Sequence, residues 1–456
     1  MVRRLDAQLE ASARRFQTRR LIHALVRRDT AMVDEPVRKQ SISLVIGWLA
    51  GVLAVAVCAV IAVVIPPDSA GDAPIVMVRD TGALYARVDH RLHPVFNLSS
   101  ARLIARAPAN PTVVSAAAIG RADRGPAVGI PGAPTQLGVP AEVSSWLACD
   151  AGTTVMITGA AAQHLDGLDA STPVLATPAG ESTAVTYLLY DGKRAEVDLR
   201  DLAVARALRL DGVTAQPVSR SVLDLLPESP TIGAPPLVGL GTPGPLGYRV
   251  GQVVRLSRAG AVEYYVVLAD GLQRVGEVAA DIIRFTHGVG GGDVPTVEPA
   301  AIAGVDAVNA LAVSSFPMQA RPPVGPGAPG VCVQWRSDTS GTNTVVLTGK
   351  PTFGGEVALA QADGAGPHVD SVVVPGGRSV YLRAAGVTGD AGGGPLYVLA
   401  DSGVLYGIPD EQTAGYLGLA GPPVHAPWPM LAQLPQGPEL STEAAALQRD
   451  ALVVRP

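Results

Sequence analysis

The chain has 456 residues, of which 48% are hydrophobic, 4% aromatic and 16% charged, and its formal net charge is -5. A protein with this charge balance lacks the excess of basic residues that is typical of nucleic-acid-binding proteins. The 51 glycines and 39 prolines are too many for a helical bundle and follow no collagen period. Three cysteines exclude a disulfide-dense scaffold and a four-cysteine zinc site.

The N-terminal segment, residues 1–41, is basic and has a helical periodicity. Leu5, Leu9 and Phe16 recur at spacings of four and seven among arginines. The first 40 residues contain ten Arg and Lys against five acidic residues. A basic amphipathic helix of this kind binds either anionic lipid or a partner subunit, and both alternatives stay open. The predicted docking residues are Arg14, Arg15, Phe16, Arg19, Arg20, Arg27 and Arg28.

Residues 42–65 form a continuous run without a charged side chain. As a helix this run is ~36 Å long, which is enough to cross a bilayer. A buried core helix would carry a polar stripe, and a signal peptide would have a shorter apolar region closer to the N-terminus. We therefore predict one transmembrane helix. The basic residues before it place the N-terminus in the cytoplasm and the rest of the chain outside.

Four segments of the remaining chain share one pattern, in which two short apolar strands flank an Asp-led turn and a helical stretch follows. They begin at Leu84, Tyr187, Tyr264 and Leu396. Asp-Gly between apolar runs indicates a hairpin, because glycine adopts the positive φ that such a turn needs. The predicted turn residues are Asp89, Asp191, Gly192, Asp270, Gly271, Asp401 and Gly403.

The four segments form two pairs at similar offsets. Leu84 and Tyr264 are 180 residues apart, Tyr187 and Leu396 are 209 apart, and the order of features is the same in both halves. These offsets predict a tandem duplication, with a first half at 66–228, a Gly/Pro linker at 229–248, a second half at 249–441 and a tail at 442–456. The predicted fold is a membrane-anchored α+β protein whose duplicated, pseudo-two-fold outer region has four hairpin–helix repeats around a central β-sheet.

The cysteines follow the same duplication. The offset from Cys149 to Cys332 falls between the two offsets of the repeats, and each cysteine precedes a similar strand. Equivalent elements meet near a two-fold axis, so these residues are candidate disulfide partners on the oxidising side of the membrane. The alternative is two buried free thiols. Cys58 lies in the predicted span and is interpreted as inert packing.

The sequence contains few motifs that indicate a catalytic, nucleotide-binding or metal-binding site. Gly349-Lys350 lacks the glycine that a phosphate-binding loop requires upstream and is followed by Pro351. His90 and His93 have the spacing of a metal pair but no third ligand, so no metal site is predicted. We interpret the aspartates of the four turns as turn formers rather than catalytic groups. By its motifs alone, the protein is a membrane-anchored scaffold with no evident cofactor.

Several stretches together resemble the EccB family of the actinobacterial type VII (ESX) secretion system. They are RRFQTRRLIHALVRRD from Arg14, DTGALYARV from Asp80, SSWLACD from Ser144 and PWPMLAQLPQGPELS from Pro427. The resemblance extends over nearly the whole chain. It departs at Arg14, where an aromatic residue is usual, and in the short stretch that follows LPQGPELS.

The resemblance implies a single-pass inner-membrane subunit that assembles with EccC, EccD and EccE and with a mycosin protease, and that self-associates through its periplasmic region. It also implies four repeats around a central sheet and a disulfide between Cys149 and Cys332. The family carries an ATPase label, which implies ATP as a ligand. The leading hypothesis is a structural core subunit of the secretion complex. The alternatives are an extracytoplasmic ATPase in the same complex and a cell-wall (peptidoglycan) binding module.

Overall fold

The computed structural model describes most of the chain. The described residues are 2–28, 36–64, 71–141, 143, 145–152, 154–158, 169–180, 185–258, 261–324, 330–338, 341–349, 354–364, 366, 368–389 and 393–449. The chain divides into two compact units, residues 1–69 and residues 70–456. The first is helical and the second combines short helices with several mixed sheets, so the α+β class is confirmed.

Helices occur in both units. In chain order they are α1 (Val2–Arg27), α2 (Pro36–Val64), α3 (Leu98–Ala105), α4 (Ala116–Gly120), α5 (Leu202–Ala207), α6 (Arg220–Leu223), α7 (Glu277–His287), α8 (Pro299–Ala303), α9 (Glu411–Leu417), α10 (Trp428–Leu431) and α11 (Thr442–Ala446).

Strands occur in the second unit. In chain order they are β1 (Ile75–Val78), β2 (Leu84–Val88), β3 (Arg91–Val95), β4 (Thr112–Val114), β5 (Ala127–Val128), β6 (Val139–Pro140), β7 (Ser145–Asp150), β8 (Thr154–Thr158), β9 (Val174–Pro178), β10 (Tyr187–Tyr190), β11 (Lys193–Val197), β12 (Gln216–Val218), β13 (Glu228–Ile232), β14 (Val253–Arg258), β15 (Ala261–Leu268), β16 (Gly271–Val275), β17 (Val331–Asp338), β18 (Gly341–Thr348), β19 (Val357–Ala358), β20 (Ser371–Val373), β21 (Arg378–Ala385), β22 (Leu396–Leu399), β23 (Leu405–Ile408), β24 (Val424–Pro427) and β25 (Gln448–Arg449).

Helix α2 has the length and composition of a membrane span. It begins at Pro36, whose fixed φ suits the first turn of a helix. The stretch Ile42–Val60 has a mean hydropathy of 2.5, and none of it is buried. A helix that is apolar on all faces and unburied in its own chain requires an apolar surrounding. The prediction of one N-terminal apolar helix is therefore confirmed for the described part of the chain, and the predicted end at Ile65 lies outside it.

Four hairpin–helix modules are spread along the second unit. The first module is β2, β3 and α3; the second is β10, β11 and α5; the third is β15, β16 and α7; the fourth is β22, β23 and α9. Each hairpin is antiparallel, with registers such as Val88 opposite Arg91 in the first module and Tyr190 opposite Lys193 in the second. The predicted linker begins within a strand, because β13 pairs in parallel with β11.

The modules pack in pairs that do not follow their order in the chain. Helix α5 of the second module packs on α7 of the third, around a core that includes Val204, Val278 and Ile282. Helix α3 of the first module packs on α9 of the fourth, around a core that includes Leu103 and Leu417. We call these two groups the 2–3 pair and the 1–4 pair. Burial of their shared apolar faces is what holds each pair together.

A six-stranded sheet contains strands from both sides of the predicted linker. Its strand order is β18-β17-β7-β8-β20-β19, so the strand pair β7–β8 lies inside a sheet whose other strands come from later in the chain. We call it the central sheet. β7 and β17 pair antiparallel, from Ser145 opposite Arg336 to Asp150 opposite Val331. Two distant stretches of chain are thereby joined by continuous main-chain hydrogen bonds.

Candidate functional site

The pair β7–β17 in the central sheet separates two buried clusters by strand alternation. Trp146 lies opposite Trp335, and Cys149 lies opposite Cys332. Since successive side chains point to opposite faces, the tryptophans lie on one face and the cysteines on the other. The indole N–H of Trp146 donates to the carbonyl oxygen of His425 at 2.9 Å, and that of Trp335 donates to Val387 at 2.9 Å. Both rings therefore pack in the core with their polar atoms satisfied.

A disulfide joins Cys149 and Cys332, which confirms the predicted pairing. Both residues are almost fully buried, at 2% and 0% exposure, and pack with Leu147 and Leu347. The bond joins positions with a sequence separation of 183. It links the same two strands that the hydrogen-bond ladder joins, so a covalent bond and main-chain hydrogen bonds both connect the middle of the second unit.

The turns of the hairpins differ in detail. Asp89 and Asp191 both have φ in the left-handed region, at 46° and 44°, and Gly192 follows at 70°. At Gly192 a β-carbon would overlap the carbonyl oxygen of Thr344 in β18, so this turn requires glycine for close approach as well as for φ. This contact places the second module against the edge of the central sheet.

The two other predicted turns have different geometry. Asp270 lies in the turn between β15 and β16, and Gly271 is already the first residue of β16, opposite Leu268. The Asp401 carboxylate accepts a hydrogen bond from the Gly377 main-chain N–H at 2.9 Å, while Gly403 has a φ of 81°. Hydrogen bonding to the backbone is the usual role of a turn aspartate.

An open cleft of about 840 Å³ lies between the 2–3 pair and the central sheet. Its walls are the start of β15 at 261–264, the β10–β11 turn at 191–192, the segment 317–321 and strand β18 at 343–346. This volume is within the range of ligand-binding pockets, ~300–1,000 Å³. Residues 170–173 and 274–277 line it as well. No sequence pattern indicated the cleft, because its walls come from stretches that are far apart in the chain.

The charged groups of the cleft are largely paired with one another. Arg274 lies 3.3 Å from Glu263, whose carboxylate also accepts the Tyr265 hydroxyl at 2.8 Å. Glu277 lies 3.6 Å from Arg209. Burial raises the pKa of Tyr190 to about 12, and its hydroxyl donates to the Ser315 carbonyl at 2.6 Å. At neutral pH the tyrosine is therefore a neutral hydrogen-bond donor in the wall of the cleft.

The cleft does not fit a nucleoside triphosphate. Three carboxylates line it, those of Asp191, Glu263 and Glu277, against two guanidinium groups, and Arg274 is already paired with Glu263. The lining therefore has no excess of positive charge to hold a polyphosphate. A smaller cavity of about 190 Å³ lies beside the glycine-rich loop 288–292. That loop follows the C-terminal end of α7, where helix carbonyls disfavour an anion.

Two sequence predictions concern metal ligands and the basic helix α1. In the part of the chain that the structure describes, no three His, Cys, Asp or Glu side chains are grouped to hold a metal ion. The predicted docking residues 14–16, 19 and 20 lie on α1 at exposed positions, Arg27 ends that helix, and Arg28 follows it with a φ of 55°. The docking role of these residues stays a prediction.

The chain has one apolar helix of membrane-spanning length, followed by a folded unit whose middle is connected by a central sheet and a disulfide. This architecture defines the class of membrane-anchored subunits with one folded region. The family model "Type VII secretion system ESX-1, transport TM domain B" matches residues 3–454. The chain therefore belongs to the EccB family, the membrane component of the ESX type VII secretion system.

Relatives and solved structures agree with this membership. The chain is 33% identical to the ESX-3 secretion system ATPase EccB3 of Mycolicibacterium smegmatis, over 98% of this chain and 91% of that protein. It is 32% identical to the ESX-1 secretion system ATPase EccB1 of Mycobacterium tuberculosis, over 99% and 97%.

Two solved structures have a similar fold. A chain of an intact ESX-5 inner membrane complex matches with a TM-score of 0.71 and 30% identity, over 98% of this chain and 96% of that one. A chain of the EccB3 dimer from the ESX-3 core complex matches with a TM-score of 0.71 and 32% identity, over 82% and 100%.

Proposed function

We propose that the protein is a structural core subunit of an ESX type VII inner-membrane secretion complex, and that its outer unit forms part of the complex's periplasmic assembly. The observation that carries the proposal is the β7–β17 pairing with its disulfide, which makes one closed body from distant stretches of chain. A body of this kind suits a scaffold, because its ladder and covalent bond resist separation of the parts it connects.

The outer unit is, in this proposal, a tandem duplication with a pseudo-two-fold arrangement. The packing of the first module with the fourth and of the second with the third supports it, since an axis that exchanges the first module with the third and the second with the fourth would relate these two pairs to each other. The position of Cys149 opposite Cys332 near the middle of the central sheet supports it as well. The halves are proposed at 66–228 and 249–441, with the tail at 442–456.

The orientation and partners form the next part of the proposal. The excess of basic residues in the first 40 residues supports a cytoplasmic N-terminus and a periplasmic outer unit. Membership in the family supports assembly with EccC, EccD and EccE and with a mycosin protease, and the dimer of the EccB3 relative supports self-association. Helix α1, with apolar Phe16 and Leu21 exposed at 57% and 64%, is proposed to dock on a cytoplasmic partner.

Co-purification tests the proposal. The protein, tagged at its C-terminus, is extracted from native membranes in mild detergent, and associated proteins are identified by size and mass spectrometry. We expect a megadalton-scale particle that contains EccC, EccD and EccE. Recovery as an isolated monomer or dimer, under conditions that keep a known ESX complex intact, contradicts the structural role.

A matched pair of variants tests the role of α1. Substituting Arg14, Arg15, Arg19 and Arg20 by Glu reverses the helix charge, whereas substituting the same residues by Lys retains it. We expect the Glu variant to lose the cytoplasmic partners and the Lys variant to keep them, because docking depends on charge. Equal recovery from both variants contradicts a charge-dependent docking helix.

A further inference from the structure

Among the described residues, the start of β15, in the wall of the cleft, pairs with β14 on one side and has an open edge on the other. In an antiparallel strand, residues alternate between those whose N–H and C=O point to one neighbour and those that point to the other. The tight turn that pairs Leu268 with Gly271 directs the polar groups of Leu268 toward β16, and therefore also those of Tyr264 and Val262. β16 ends at Val275, opposite Tyr264. The N–H and C=O of Val262 thus point into the cleft, where β16 has ended.

The edge of β18 contributes a second open position. At one end of this edge, Thr348 exchanges two main-chain hydrogen bonds with Asp169, at 2.8 and 2.9 Å. Further along, Gly192 lies against the carbonyl of Thr344. Val346 lies between these closed points and, by the same alternation, directs its N–H and C=O into the cleft. Two strand edges therefore present main-chain groups to one space.

The side chains around these edges favour one kind of occupant. The cleft carries three carboxylates, on Asp191, Glu263 and Glu277, and two guanidinium groups, on Arg274 and Arg321. Arg274 is paired with Glu263, Glu277 lies 3.6 Å from Arg209, and Arg321 donates to the Ser171 carbonyl at 3.0 Å. Among the described residues, Asp191 is the lining carboxylate that has no ion pair, and its charge complements a basic ligand. Met318 and Val262, exposed at 63% and 49%, add apolar contact area.

We propose that this cleft binds an extended, basic segment of another polypeptide, which adds as a short strand to the open edge of β15 at Val262. Main-chain hydrogen bonds supply affinity in this mode, and the charges supply selectivity. A second copy of the chain is disfavoured, because acidic residues outnumber basic ones in residues 41–456 and would bring negative charge to an acidic cleft. The proposal does not rest on the role in secretion, since peptide binding and co-purification are measured separately.

A proline at Val262 tests the strand addition. The N–H of Val262 points away from β14, because Ala261 and Glu263 are the residues whose polar groups face that strand. Val262→Pro therefore removes the donor in the cleft and leaves the β14 ladder in place. Val262→Thr is the matched control, since threonine keeps the N–H and the β-branched shape.

The assay uses the full chain in detergent micelles and fluorescein-labelled peptides KVTVK and EVTVE, with binding followed by anisotropy. We expect KVTVK to bind, EVTVE to bind about tenfold more weakly, Val262→Pro to weaken KVTVK by about tenfold and Val262→Thr to stay within about twofold. Unchanged affinity of Val262→Pro, equal affinity for both peptides, or no binding of KVTVK to the unaltered protein overturns the proposal.

Two further measurements keep the test decisive. If near-ultraviolet circular dichroism shows that Val262→Pro is misfolded, Asp191→Asn takes its place, because asparagine tolerates the left-handed φ at that turn and removes one carboxylate. We expect KVTVK affinity to fall about threefold and its salt dependence to decrease; no change contradicts the proposal. Loss of dimers in Val262→Pro but not in Val262→Thr identifies a second copy as the occupant and also overturns it.

Discussion

Both helices of the 1–4 pair have a side-chain cap, whereas in the 2–3 pair α5 has one and α7 does not. In the 1–4 pair, Asn97 accepts the Ser100 N–H at 2.8 Å at the start of α3, and Asp410 accepts the Thr413 N–H at 2.7 Å at the start of α9. In the 2–3 pair, Asp201 accepts the Ala203 N–H at 2.9 Å at the start of α5, but the residue before α7 is Gly276, which has no side chain to cap the helix. The same module is thus built with and without a side-chain cap.

The third module compensates through length and tertiary contacts. Helix α7 has 11 residues, whereas α9 has 7. The N–H of Glu277 donates to the Met318 carbonyl at 2.8 Å, and a β-carbon at Gly276 would lie 3.0 Å from the Met318 Cα. Met318, in the segment 317–321 that lines the cleft, therefore lies where a capping side chain would be and accepts the Glu277 N–H in its place. We infer that the third module depends more on packing than the three modules whose helices have a side-chain cap.

Removing the disulfide at the centre of the outer unit has the largest expected effect. Cys149→Ala opens a loop set by a sequence separation of 183, and we expect the free energy of unfolding to fall by about 4–5 kcal/mol in the chain-entropy model. Urea unfolding followed by tryptophan fluorescence measures it. Cys58→Ala, in the apolar helix, is the control and is expected to change nothing in the outer unit. A loss below about 1 kcal/mol for Cys149→Ala contradicts the stabilising role of the bond.

Truncation of a buried side chain sharpens the comparison between the pairs. Ile282 and Leu417 are 0% and 1% exposed, and replacing either by alanine is expected to cost about 2–5 kcal/mol. The loss is expected to be larger for Ile282→Ala, because α7 lacks a side-chain cap. Hydrogen exchange measures where the loss falls: Ile282→Ala should raise exchange in α5 and α7 and leave α3 and α9 protected. An equal rise of hydrogen exchange in α3 and α9 would contradict the expectation that the two pairs lose stability separately.

Tyr190 gives the 2–3 pair a dependence on alkaline pH. Its raised pKa, about 12, means that the folded state retains the proton more strongly than the unfolded chain, whose tyrosines titrate near 10. This stabilisation is fully present below about pH 10 and is lost as the pH rises toward 12. We expect Tyr190→Phe to cost about 1.5 kcal/mol at neutral pH, through loss of the bond to Ser315, and to remove the alkaline step.

The check for Tyr190 is a comparison of urea midpoints at pH 9 and pH 11. The unaltered protein is expected to lose more stability than Tyr190→Phe between these values. An identical loss in both proteins would show that Tyr190 does not titrate in this window.

The cap of α9 gives the 1–4 pair a smaller dependence on acid. The hydrogen bond from the Thr413 N–H lowers the pKa of Asp410. Its contribution is present above the usual carboxyl pKa of about 3.9 and is lost as the pH falls toward the lowered folded value. Asp410→Ala is expected to cost about 1 kcal/mol at pH 7.

Asp410→Asn is the matched control for the cap. Asparagine keeps an oxygen acceptor for the Thr413 N–H but carries no charge, so its stability should stay near that of the unaltered protein and should not change between pH 5 and pH 3 at this site. Thermal unfolding at the two pH values provides the measurement. A loss as large as that of Asp410→Ala argues against the capping bond.

The apolar helix and the four modules were predictable because their signals are local. A long uncharged run and an Asp-led turn between apolar strands need no knowledge of distant residues. The turn at Gly271 shows the limit of that reasoning, because the same Asp-Gly pair that forms the turn at Asp191 is shifted by one residue into β16. The pairing of strands decides that register, and it depends on both partners.

The sequence by itself determined the apolar helix and the modules, and it made Cys149 and Cys332 candidate partners, which the disulfide confirms. Only the tertiary structure decided which modules pack together and where strand edges stay open. The cleft illustrates the reason: the edges at Val262 and Val346 and the turn at Gly192 come from separate stretches of chain. Their juxtaposition is set by burial of apolar faces between modules, a global property that a local pattern does not record.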